Sequence, residues 1–308
     1  MALGTREIKR RVRSVKSIRQ ITRAMELVAA AKMQRAVTAV QQSRRYADLA
    51  WEMLRSVTRG VDVRHHPLLM THPRRRLLFI HLTSNRGLAG GFNSRVNEAA
   101  REYLTKCRAE TPDLTVETVT LGRKGRDYLL KRGEHLVAEF ERHDRPATAS
   151  DVAPLSRMIM NDYEAMKYDV VAVAYTDFVS MLKQEPRVRE LLPIRGRDPM
   201  LGVTHDDVAD GDLPVTMPDD VFMDRLFEPS PAAVLATLVP RLLEMQLYQM
   251  LVESVASEHA ARMMAMRNAS DAAHDLINDL TLTFNQLRQS GITRELAEIS
   301  AGRLALGV

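Results

Sequence analysis

Two stretches of this chain contain neither glycine nor proline: 55 residues from position 5 to 59 and 50 residues from position 241 to 290. Ordinary helices average about 11–12 residues, and breakers normally punctuate a globular chain at a similar interval. As α-helices at ~1.5 Å per residue, the two runs reach roughly 80 and 75 Å. Helices of that length do not fit inside one compact core. Each needs a partner along its length.

The partner pattern can be counted. Steps of three and four from Leu235 through Leu242, Gln249, Ala256, Met263, Ser270 and Ile277 to Leu287 visit sixteen positions, thirteen of them apolar. The polar ones are Gln249, His259 and Ser270. The same stepping from Ile8 to Val57 visits fifteen positions, eleven apolar, and passes through Ala29, Lys32, Ala36, Ala39, Ser43, Tyr46, Ala50 and Met53. Sustained seams of this kind predict coiled-coil helices. With one seam at each end of the chain and everything else between them, the two are expected to pair antiparallel. Homo-oligomeric coiled coils fit the same pattern.

Charge is unevenly spread. Residues 1–60 hold 14 Lys/Arg against 4 Asp/Glu, while the whole chain carries a net +5, so the remainder sums to −5. Eight basic residues and one acid lie between Arg6 and Arg23. A helix so basic suits an acidic protein surface, a nucleic acid or an anionic membrane face. A basic coiled coil that binds nucleic acid is therefore the alternative reading, although the run lacks the aromatic residues that stack on single strands. No apolar stretch is long enough to span a bilayer. The first sixteen residues are too basic for a secretory signal, and their heptad pattern continues without a break, so they read as mature structure. The lone Cys107 rules out a disulfide within the chain.

Between the long runs the period changes. Residues 77–82, 115–121 and 170–175 read as buried strands, with 136–140 as a further candidate. Helical patterns lie near 94–108, 124–131 and 155–167. The alternation predicts an α/β, Rossmann-like domain with a mostly parallel sheet. The expected organisation is a helix over 1–60, a linker over 61–76 and a globular foot over 77–227. A second long helix follows over 228–308, with Ser230 as its N-cap and Pro231 at its first position. Within the foot, residues 196–224 carry three prolines and eight aspartates and read as an acidic loop.

Chemistry is hard to find. Residues 83–93, TSNRGLAGGFN, form a Gly-rich turn between strand and helix, a position that can cradle phosphate. The spacing matches neither of the established glycine-rich nucleotide motifs. Gly87, Gly90 and Gly91 read instead as permitting a tight turn, as do Gly122 and Gly125 further on. His65 and His66 lack the further ligands of a zinc site. No catalytic residues, cofactor site or metal site emerge.

Longer stretches carry a resemblance. Residues 8–33 (IKRRVRSVKSIRQITRAMELVAAAKM), 83–93, 122–129 (GRKGRDYL) and 168–180 (YDVVAVAYTDFVS) closely resemble the γ subunit of F-type ATP synthases. So do residues 248–273 and 285–302 (NQLRQSGITRELAEISAG). The matches reach both ends and the middle, in the family's order. The chain departs from the family's usual pattern at Asn85 and Ala89, and its single cysteine cannot supply the paired-cysteine control of chloroplast members.

The resemblance implies a non-catalytic rotor shaft of a proton-translocating ATP synthase. The terminal helices would wind together inside a ring of three α and three β subunits. The foot would sit against ε and the c-ring, on the cytoplasmic face of a bacterial plasma membrane, with no insertion and no nucleic acid bound. By motif position, Arg23, Met25 and Glu26, with Arg288, Gln289, Thr293 and Glu295, are the expected ring contacts. Glu253, Glu258 and Arg262 are expected to support the shaft with ion pairs.

Overall fold

The computed structural model describes residues 2–58, 66–142, 145–194 and 228–305. The acidic loop over 196–224 and His65 lie outside them. The chain falls into two compact units, Met1–Ala30 with Arg262–Val308, and Ala31–Ala261. Two helices contribute to both units: α1, Ala2–Thr58, and α5, Pro231–Ala305.

The larger unit is built on a five-stranded sheet in the order β3-β2-β1-β4-β5. Strands β1 (Arg76–Leu82), β2 (Thr115–Leu121), β3 (Leu136–Phe140) and β4 (Val170–Phe178) run parallel. Helices α2 (Phe92–Glu110), α3 (Arg123–Lys131) and α4 (Ala149–Glu164) connect them. Alternate residues of each strand face opposite sides, so the apolar runs build two cores. Leu77, Phe79, Val170, Ala172 and Ala174 pack on Val96, Ala100 and Leu104 of α2. Leu78, Ile80, Val171 and Val173 pack on α4 and on segments of α1 and α5. Full burial of each such side chain is worth roughly 1.5–3 kcal/mol, which is why the central strands are unbroken apolar runs.

Strand β5, Gln184–Leu192, pairs antiparallel with β4 at the sheet edge. The sequence reading has no strand there. Its signal is masked by charge, since Glu185, Arg187, Arg189 and Glu190 alternate with few apolar residues. Pro186 is tolerated because an edge strand has one unpaired side. Helix α4 starts six residues earlier than expected and runs through Pro154. The backbone N–H of Thr148 donates to the Asp151 carboxylate (2.8 Å), which fixes the helix start.

Within this unit α1 and α5 pack antiparallel. Ala36 and Val40 meet Val252 and Ala256, while Ala50, Leu54 and Val57 join the core that contains Leu235, Val239 and Leu242. The buried row on α1 is Met33, Ala36, Val40, Ser43, Ala47, Ala50, Leu54 and Val57. Every second expected seam position is right and the others are one residue early: Tyr46 is 51 % and Met53 44 % exposed. Either phase yields an apolar stripe. The close approach of helices selects the phase that buries the small Ala47 and turns Tyr46 outward. The start of α5 is as expected, with Ser230 Oγ accepting from the Ala233 amide (3.2 Å) and Pro231 opening the helix.

In the smaller unit the two helices pack through Glu26 and Ala29 of α1 and Met263, Met266, Ser270, Ala273 and Ile277 of α5. Ile8, Val12, Val15 and Thr22 continue the α1 row half-buried, whereas Ile18 and Arg11 of the expected seam are exposed.

Candidate functional site

A doubly wound sheet offers a ligand crevice where its strand order reverses, at the C-terminal ends of the strands. Here that point lies between β1 and β4, and the Gly-rich turn follows β1 directly. It is filled by protein. Ala89 and Phe92 of the turn pack on Ala261 of α5, and Ser257 Oγ donates to the Thr176 carbonyl of β4 (3.3 Å). The amide that could meet a phosphate, Ser84 N–H, is taken by Asn93 Oδ1 (3.1 Å). The turn therefore seats a helix where a nucleotide fold would seat phosphate.

Its glycines divide by role. Gly90 adopts φ 54°, as expected, but the other left-handed residue is Leu88, at φ 61°. Gly91 has φ −83° and serves as the N-cap of α2, and a Cβ on Gly87 would meet nothing within 4 Å. Positive φ is thus not what Gly87 and Gly91 supply. Gly122 and Gly125 are true close approaches. A Cβ on Gly122 would stand 2.3 Å from the Thr83 carbonyl oxygen, and one on Gly125 would stand 2.7 Å from the His81 ring. The Gly125 amide donates to Thr83 Oγ1 (2.8 Å), tying α3 to the end of β1.

Residues 246–261 of α5 are buried almost all round; within this stretch Tyr248 and Val255 are half-buried and the others fully so. A helix covered on all sides buries its polar groups as well, and these must be paired. Glu253 Oε1 accepts from Arg44 Nη2 of α1 and from Gln249 Nε2, both at 3.1 Å. Burial, then the nearby Asp177 carboxylate, pushes the Glu253 carboxyl up from its ordinary value, against the pull of Gln249 and Arg44. Glu258 Oε2 lies 2.6 Å from Arg142 Nη1, which also donates to the Thr83 carbonyl (3.0 Å). Both glutamates therefore form ion pairs, Glu253 with Arg44 of the other long helix. Glu258 pairs with a residue that follows β3. Arg44 and Arg142 are absent from the sequence reading; their partners are more than a hundred residues away, so no local spacing marks them.

His81 of β1 is fully buried. Its Nε2 lies 2.7 Å from Asn97 Oδ1 of α2, and its Nδ1 has no hydrogen-bond partner. Burial lowers its pKa to about 4, so the ring is neutral and donates from Nε2.

In the smaller unit, Arg23 is exposed and pairs with the buried Glu26 (2.7 Å), and Met25 beside them is half-buried. Arg288, Gln289, Thr293 and Glu295 are all exposed, with Thr293 Oγ1 donating to the Gln289 carbonyl (3.0 Å). Arg262 is half-buried. Beyond Ile277 the expected seam is half-buried at Leu280 and Phe284, and Leu287 is exposed. Ile292, Leu296 and Ile299, also exposed, recur at helical spacing as one stripe. Among the described residues, no group of three or more His, Cys, Asp or Glu can hold a metal ion.

Two long terminal helices that both pack on an α/β sheet in the larger unit define the class of fold. The profile of the family described as ATP synthase matches residues 4–306. The ATP synthase gamma chain of Roseiflexus sp. (strain RS-1) is 40 % identical over 305 residues, covering 98 % of both chains. That of Herpetosiphon aurantiacus is 40 % identical over 314 residues, covering 98 % of this chain and 99 % of the relative. This chain belongs to the ATP synthase gamma-chain family. Among solved structures, it is similar in fold to a chain of the Euglena gracilis mitochondrial ATP synthase rotor (TM-score 0.60, 17 % identity, 95 % of this chain and 100 % of that one). It is also similar to a chain of the Tetrahymena thermophila central stalk and c-ring (TM-score 0.55, 23 % identity, 81 % and 99 %). No described helix is long and apolar enough to cross a membrane.

Proposed function

We infer that this chain is the central rotor shaft of an F-type ATP synthase, coupling rotation of a membrane c-ring to nucleotide-affinity changes in three catalytic β subunits. The observation that carries this reading is the family match along nearly the whole length of the chain and of its relatives. The foot meets ε and the c-ring, and the smaller unit enters the ring of α and β subunits. The complex stands on the cytoplasmic face of a bacterial plasma membrane, and catalytic residues belong to the ring.

The mechanism is differential contact. The shaft is asymmetric and the three β subunits are chemically identical, so each meets a different face of it. Each face biases its β toward a different nucleotide affinity, and rotation passes that bias around the ring. Arg23, Met25 and Glu26, with Arg288, Gln289, Thr293 and Glu295, are the proposed ring contacts. The exposed apolar stripe beside the latter group supports this assignment, because large exposed apolar surface marks an interaction site. Exposed ion pairs, worth only ~0–1 kcal/mol each, let the shaft turn without being held.

The test is a mild-detergent pull-down of the tagged chain from its own membranes, with ATPase activity measured in the eluate. Co-purification of α, β and c-ring subunits with activity is expected. A chain recovered alone, or with nucleic acid only, would overturn the reading.

A further inference from the structure

Two glutamates of α5 are held by arginines from different parts of the larger unit. Arg44, on α1, lies 3.1 Å from Glu253 Oε1 and 3.9 Å from Asp177 Oδ1 at the end of β4. Arg187 of β5 approaches the other Asp177 oxygen at 3.4 Å. Arg142 reaches Glu258 at 2.6 Å, and its own carbonyl accepts from Asn85 Nδ2 of the Gly-rich turn (2.5 Å). Glu253 and Glu258 are five positions apart, about 140° around the helix and about 7.5 Å along it. The helix is therefore gripped from two well-separated faces.

The rest of this contact is largely apolar, with Leu247, Met250, Leu251, Val252, Ala256, Ala260 and Ala261 buried, beside the neutral hydrogen bonds of Tyr248 to the Ala147 carbonyl and Ser257 to the Thr176 carbonyl. Apolar contact is non-directional and opposes sliding or axial rotation weakly. Close ion pairs to buried carboxylates tie one position on the helix to one position on its surroundings and resist both, and the Arg44–Glu253 pair adds a directional hydrogen bond (3.1 Å). Nor does stability require them, since a buried ion pair replaced by well-packed apolar residues of similar volume is often as stable or more so.

We propose that Arg142–Glu258 and Arg44–Glu253–Asp177 are two torque pins that lock α5 against rotation within the foot. They are positioning residues: they pass rotation from foot to helix and touch no substrate. The proposal rests on the rotor reading above.

The test uses the assembled ATP synthase in sealed vesicles and compares wild type, Arg142→Lys and the double variant Arg142→Met with Glu258→Leu. ATP hydrolysis, ATP-driven ion pumping and the melting temperature of each complex are measured. The double variant is expected to assemble, melt and hydrolyse ATP like wild type, yet lose at least half of its pumping per ATP. Arg142→Lys, which keeps the charge, retains most of it. A double variant that pumps as wild type does would overturn the pins, as would a pumping loss that only tracks a lower melting temperature or failed assembly. A wild-type chain that joins no ATP synthase would instead overturn the rotor reading, and the pins with it.

Discussion

Residues 246–261 and 286–300 of α5 share one helical geometry and invert the usual rule of burial. The first stretch buries Gln249, Glu253, Ser254, Ser257 and Glu258 beside its alanines. The second exposes Leu287, Ile292, Leu296 and Ile299. Small residues let a sheet and a second helix close over the first stretch from several sides, and Glu253, Ser257 and Glu258 find partners there, whereas Ser254 Oγ is buried without a hydrogen bond. The second stretch has large apolar residues and no cover within the described chain, which is how an interface for other chains looks. One stretch is held by its own chain, and the other is the one we propose is met by a different chain.

The largest expected effect is on the held stretch. Ala256 is fully buried against Ala36, Val40 and Val252. Ala256→Leu overpacks that contact and is expected to cost about 3 kcal/mol. Thermal melting of the purified chain checks it. A variant that melts as wild type does would mean the helices can spread apart, and the contrast between the two stretches would lose its basis in close packing.

Next in size is a test of the α1 phase. Ala47 is 4 % exposed and its neighbour Tyr46 is half exposed. Ala47→Lys is expected to cost about 2 kcal/mol, because a lysine there must bury its stem and charge, whereas Tyr46→Lys stays within about 0.5 kcal/mol. Denaturant unfolding of both variants decides it; the reverse order would restore the phase read from sequence. Here the limit of sequence reading is clear. Long seams, parallel strands and the Ser230–Pro231 helix start are local patterns and were legible. The phase of an alanine-rich seam depends on which face the partner takes, and β5 depends on pairing at an edge where charges hide the alternation. Among the paired groups of the held stretch, the carboxylates Glu253 and Glu258 could be named from sequence. Their partners Arg44 and Arg142 could not, because the fold alone brings them near.

A smaller, pH-dependent effect separates charge from packing in the held stretch. Burial raises the Glu253 carboxyl above its ordinary value of 4.5. A carboxyl raised in the folded state contributes stability that is full below its unfolded pKa and is lost as pH rises through its folded pKa. Glu253→Gln removes that loss. The variant is therefore expected to gain on wild type as pH rises from 4.5 toward neutrality, by on the order of 1–2 kcal/mol. Urea unfolding at several pH values measures the gap. A gap that is constant, or that narrows as pH rises, would show that Arg44 more than compensates the burial of the carboxylate.

The smallest expected effect on the chain itself falls on the exposed stretch. Leu296 is 59 % exposed, so Leu296→Ala deletes little buried surface and is expected to change the stability of the isolated chain by less than about 0.5 kcal/mol. In the assembled complex the same substitution removes apolar surface from a stripe with Ile292 and Ile299 and is expected to weaken retention of the chain by the ring. Melting of the isolated chain and salt-wash retention in the complex are therefore read side by side. A large loss of stability in isolation would mean the stripe is covered by its own chain. An unchanged melt with unchanged retention would mean that the exposed leucine meets no partner, and the contrast between a held and a met stretch would then rest on burial alone.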